Sequence, residues 1–238
     1  MISVLAKVLE KFTIEIIPNL PIFVRTPLYL NILKLRKVKD RLRFVATNKN
    51  PSFEERLDYA LDSRANLNNS GEKLHDFNSN VVLEEIKEGP VKIYKFIPPN
   101  SSKEKYGIYF HGGGYFAGSI TSHKNLISQI SNDSNLIIYF FEYRLSPEYN
   151  FPSAHEDAKL AVDFINTLHP DHQSIWIGES AGGGLATGLV VDKEYLEKPD
   201  NLILLSPWLD LSDGFEDKKF FKNSDVTIII EGMFEVGG

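Results

Sequence analysis

Three observations place this chain in the α/β class, with a mostly parallel sheet and helices on its faces. From residue 106 onward, short β-rich runs alternate with helix-length amphipathic stretches, which is the rhythm of right-handed βαβ crossovers. Two glycine-rich segments, His111-Gly112-Gly113-Gly114 and Gly178-Glu179-Ser180-Ala181-Gly182, each follow directly on an apolar run. A parallel sheet presents its ligand-binding edge at such strand ends. The 238 residues, 42% of them hydrophobic, suffice for one large domain with a sizeable core.

In chain order, Val4, Leu5, Val8, Leu9, Phe12 and Ile16 recur at helical spacing and Pro18 and Pro21 close the helix. A second helix is expected at about 28–46 and a third from Ser52 or Phe53 through Arg64, with Ser52 as N-cap. Residues 1–75 thus read as an N-terminal helical cap segment with no sheet of its own, lying either over a pocket built later or along one edge of the sheet, and 76–238 as the core. Runs at 81–87 and 91–97, separated by Glu88-Gly89-Pro90, predict an antiparallel hairpin. Strands follow at 106–110, 136–141, 174–177 and 202–205, with helices between them at 122–131, 153–168 and 181–191. His111 and Ser180 are 69 residues apart, about two βα units of roughly 30 residues each. Both glycine-rich segments should therefore meet at one sheet edge.

The two segments together suit acyl transfer, which needs a nucleophile, a base to activate it, and donors for the charge that develops on the carbonyl oxygen. Gly178-x-Ser180-x-Gly182 at a strand-to-helix junction puts Ser180 at the apex of a sharp turn. Gly178 and Gly182 leave room where a Cβ would obstruct the turn and the helix behind it. The N–H of Ala181 opens that helix, where the dipole adds positive potential. Those of Gly112 and Gly113, in the run bounded by His111 and Gly114, would complete an oxyanion hole. A phosphate-binding loop is the competing reading, but neither cluster is followed by the Lys-Ser/Thr pair it requires. The histidines show no metal-ligand spacing, so no metal and no cofactor are expected. A net charge of −6 without a basic stripe argues against a nucleic-acid partner. The chain has no cysteine, which rules out disulfides and thiolate chemistry. Lys7, Glu10 and Lys11 interrupt the N-terminal apolar run and no stretch is long enough to span a bilayer. A soluble cytoplasmic protein is the expectation, with surface attachment through the amphipathic start as the alternative.

These motifs carry a resemblance. His111-Gly112-Gly113-Gly114-Tyr115, Tyr143-Arg144-Leu145-Ser146-Pro147-Glu148, Phe151-Pro152, Glu156-Asp157, Gly178-Glu179-Ser180-Ala181-Gly182-Gly183 and Ser206-Pro207-Trp208-Leu209-Asp210 resemble the hormone-sensitive-lipase group of α/β-hydrolase esterases over about residues 106–211. The resemblance implies an α/β-hydrolase fold, a small-molecule ester as substrate, Ser180 as nucleophile and a structural role for the 143–157 block. It also implies a triad acid and histidine after the next two strands, in that chain order. Two more βα units amount to roughly 50–80 residues, and no histidine follows His172. The expectation is a C-terminally truncated esterase, lacking its last strands and helix and nearly inactive. His155, His169 and His172 fall away from the serine. His111 and His123 read as structural, and Asp210 is a possible acid, more readily a structural carboxylate. The alternative is a non-catalytic hydrolase-like protein that binds a small ligand. Oligomeric state is not legible.

Overall fold

A run of β-branched and aromatic residues that is apolar at consecutive positions suits a strand covered on both faces, and Lys105-Tyr-Gly-Ile-Tyr-Phe110 is such a run. It forms the central strand β3 of a computed structural model that describes residues 52–74, 76–87 and 89–209. The elements are α1 (Phe53–Leu74), β1 (Val82–Ile86), β2 (Lys92–Ile97), β3 (Lys105–Phe110), α2 (Ile120–Ser134), β4 (Ile137–Glu142), α3 (Ser153–Thr167), β5 (Gln173–Glu179), α4 (Ala181–Val191) and β6 (Asn201–Leu205). The helices expected at 4–16 and 28–46 lie outside the described residues, as does Asp210.

The sheet order is β1-β2-β4-β3-β5-β6. The β1–β2 hairpin joins antiparallel to β4, and β4, β3, β5 and β6 run parallel. Alternation along the strands divides the core in two. Ile108, Phe110, Tyr139, Phe141 and Trp176 face α3 and α4, where Ala161, Val162, Ile165 and Leu185 are fully buried. Tyr109, Ile138, Phe140 and Ile177 share the other face with Ile127 of α2. Burying one such side chain contributes about 1.5–3 kcal/mol, so this two-sided layering fixes the register that aligns the strand ends.

α1 runs ten residues past the expected end at Arg64. The extension, with its Asn, Ser and Gly residues, has poor intrinsic helix propensity, and packing overrides it. α1 lies against α2 so closely that a Cβ on Gly71 would run into the Ser122 backbone, and Asn68 Oδ1 accepts a hydrogen bond from Ser119 Oγ at 2.7 Å. Among the described residues, no helix is long and apolar enough to cross a membrane.

Candidate active site

The register pairs Phe110 of β3 with Gly178 of β5, so the residues that follow, His111 and Gly112 on one side and Glu179 and Ser180 on the other, emerge side by side at the C-terminal edge of the sheet. Ser180 has φ 50° and ψ −117°, a conformation that costs a non-glycine residue about 1–3 kcal/mol and persists only where its surroundings hold it. Here they do. Its N–H donates to the Leu205 carbonyl at 3.0 Å, and its own carbonyl accepts from Trp208 N–H at 2.8 Å. Ala181 is fully buried as the first residue of α4.

The glycines read from the sequence sit where close approach requires them. A Cβ on Gly182 would run into the Phe110 carbonyl, so only glycine lets α4 start this near β3. A Cβ on Gly112 would stand 3.1 Å from the Glu179 carbonyl oxygen and Oε1 and 3.2 Å from Ser180 Cβ. The Gly112 backbone is thus pressed against the elbow. Gly178 abuts Gly183, while Gly113 and Gly114 adopt positive φ, 116° and 61°.

His111 is completely buried and stacks on Tyr143, ring centroids 4.1 Å apart. Its Nδ1 lies 2.8 Å from the Gly112 carbonyl, while Nε2 is buried with no partner. The tautomer with its proton on Nδ1 satisfies this geometry, donating to Gly112 and leaving the bare Nε2 lone pair inside. Burial, reinforced by His123 nearby and only partly offset by the Gly112 carbonyl, lowers His111 to about 3. The imidazole is neutral and serves as a bracket for the glycine loop.

The loop has further supports. Tyr143 Oη donates to the His111 carbonyl at 2.9 Å. Arg64 of α1 donates from Nε to the Phe116 carbonyl at 2.7 Å and from Nη2 to the Ser146 carbonyl at 2.8 Å, and clasps both Glu148 oxygens. Arg144 donates through its N–H and Nε to the Asp157 carboxylate at 2.7 and 2.9 Å, which ties the segment after β4 to α3. The sequence reading missed Arg64 and the contacts of Glu179. Arg64 offered no local signal, whereas Glu179 stood in plain view between Gly178 and Ser180.

Three further described histidines stand elsewhere. His155 packs on Gly188 of α4, and His169, which contacts Tyr139 Oη at 2.7 Å, lies with His172 ahead of β5 at the opposite end of the strands. Among the described residues no hydrogen bond joins Ser180 to a histidine, and no group of three metal-ligating side chains occurs.

The sequence profile of the alpha/beta hydrolase fold matches residues 107–236. The chain belongs to that family. Within the α/β-hydrolases its likeness is to esterases of the hormone-sensitive-lipase type. It is 33% identical over 134 residues to an ethyl acetate hydrolase of Pseudomonas putida, covering 52% of this chain and 42% of that protein. To a versiconal hemiacetal acetate esterase of Aspergillus parasiticus it is 27% identical, covering 55% and 43%. A crystal structure of an esterase from the bacterial hormone-sensitive-lipase family superposes with a TM-score of 0.57 at 25% identity, over 74% of this chain and 58% of that one. An esterase/lipase from an uncultured bacterium gives 0.57 at 29% identity, over 76% and 61%. This α/β-hydrolase chain therefore spans less than half the length of the curated relatives it matches.

Proposed function

We propose that these residues carry the nucleophile and oxyanion half of a serine carboxylesterase acting on small esters, acetyl esters among them. The observation that supports this most is the pressing of Gly112 against a strained Ser180 at adjoining strand ends. In this reading Ser180 Oγ bonds to the ester carbonyl carbon, and the charge that forms on the carbonyl oxygen is met by the N–H groups of Gly112, Gly113 and Ala181. The C–O bond to the alkoxy group then breaks, the alcohol leaves with the serine proton, and water hydrolyses the acyl-serine to carboxylic acid. Each oxyanion donor is worth roughly 10²–10³ in rate. The acetyl-ester relatives support a small acyl group.

None of the described histidines hydrogen-bonds to Ser180, so in this reading they do not supply the general base. Without a base, turnover falls by about 10⁴–10⁶. The 238 residues should hydrolyse p-nitrophenyl acetate slowly, and Ser180→Ala should abolish that release. Release unchanged by Ser180→Ala would overturn the esterase reading. The alternative, a hydrolase-like binder that holds a small ligand without turning it over, is favoured by the lack of a histidine hydrogen-bonded to Ser180 among the described residues; saturable ligand binding with no acylation of Ser180 would select it.

A further inference from the structure

Glu179 immediately precedes Ser180 and, with 36% of its side chain exposed, directs its carboxylate toward a group of aromatic and imidazole side chains. Its Oε2 accepts a hydrogen bond from Tyr109 Oη at 2.7 Å and lies 3.5 Å from His123 Nε2. Tyr109 is on β3, just before the His111 loop, and His123 is in the first turn of α2, just after it. The carboxylate therefore touches both ends of the loop that carries Gly112 and Gly113. The far side of the His123 ring faces the loop's exit, with Nδ1 2.8 Å from Ser122 Oγ and 3.2 Å from the Ser119 carbonyl. A proton on Nε2 presents a donor to Glu179. Oε1, the other carboxylate oxygen, lies over Gly112, 3.1 Å from where a Cβ there would stand.

We infer that Glu179 is a positioning residue: with His123 and Tyr109 it forms a strut that holds the 112–119 loop at the distance from Ser180 that an oxyanion hole requires. This rests on the serine-esterase reading for its purpose, though not for its geometry. The strut needs an ionised carboxylate, since a protonated one loses an acceptor toward two donors. The titratable groups around it are Tyr109, hydrogen-bonded to it, and His123 beside it, with His111 and Tyr143 near enough to interact electrostatically. Burial alone would raise the Glu179 carboxyl, but the contacts with His123 and Tyr109 outweigh it and hold the group below the ordinary carboxylate range. A merely space-filling glutamate would show no such dependence on its partners.

Two measurements on the 238-residue chain test this. Carboxyl ¹³C NMR, with the Glu179 signal assigned by its loss in Glu179→Gln, should give a protonation midpoint below that of an exposed glutamate, rising in His123→Gln and in Tyr109→Phe. Amide hydrogen exchange at Gly112 should speed up about tenfold or more in Glu179→Gln and His123→Gln, while exchange in α3 stays as in the parent, and Glu179→Asp should recover part of the protection. A midpoint indifferent to His123 and Tyr109, or Gly112 exchange unchanged in both variants, overturns the strut. Labelling of Ser180 by a fluorophosphonate should fall about tenfold in Glu179→Gln and lose the decline that the parent shows as pH drops through the Glu179 midpoint. If the parent takes no label at any pH, the esterase reading fails and the NMR and exchange arms still decide the strut.

Discussion

Acidification below neutrality should destabilise this protein through His111. The ring is completely buried, stacked on Tyr143 and Phe140, and burial lowers it to about 3 from an ordinary 6.5. A histidine that stays neutral in the folded chain but takes a proton in the unfolded one makes unfolding more favourable as pH falls. Its neutral-form stability is fully present above pH 6.5 and is lost progressively between 6.5 and about 3. Over that window the loss is about 1.4 kcal/mol per pH unit, hence about 2 kcal/mol by pH 5. That is a sizeable part of the 5–15 kcal/mol typical of a folded domain. The assay is urea unfolding at pH 7.5, 6 and 5 for the parent and for His111→Asn, whose amide can still donate to the Gly112 carbonyl. The variant starts less stable, having lost the stacked ring, but its stability should fall about 2 kcal/mol less than the parent's between pH 7.5 and 5. Parallel pH dependences would mean that His111 accepts a proton in the folded state and would refute the bracket role argued for it.

Other consequences follow from the same contacts. Arg64→Ala removes charged donors from the Phe116 and Ser146 carbonyls. It should cost about 1–3 kcal/mol, read as a lower urea midpoint, with faster amide exchange along α1. Gly182→Ala forces a methyl into the Phe110 carbonyl; it should lower the thermal midpoint sharply, whereas Ala186→Gly, one turn along the same helix, should cost only about 1 kcal/mol from helix propensity plus the loss of a buried methyl.

The alternation of strands and helices was legible because both faces of β3 to β5 are buried and α2 and α3 each show one apolar stripe. The elbow was legible too, since Gly178, Ser180 and Gly182 answer local steric demands that a short motif records. Long-range pairing was not. Nothing in Lys92–Ile97 says that its partner is Ile137–Glu142 rather than β3, because an alternating strand fits any neighbour with a matching apolar face. The length of α1 depends on Gly71 meeting Ser122, about 50 residues away, and Arg64 reaches groups more than 50 and 80 residues along the chain. The Glu179–His123 contact joins residues 56 positions apart, each of which alone reads as an ordinary polar residue near a turn.

The central claim, that Ser180 is a nucleophile served by an oxyanion hole, is tested most directly by mass spectrometry after prolonged incubation with a fluorophosphonate. Attack by Ser180 Oγ forms an O–P bond, breaks P–F and releases fluoride and a proton, leaving one adduct. The account predicts a single adduct per chain on the peptide containing Ser180, formed slowly, slower still in Gly112→Ala and absent in Ser180→Ala. Equal labelling of parent and Ser180→Ala would contradict it.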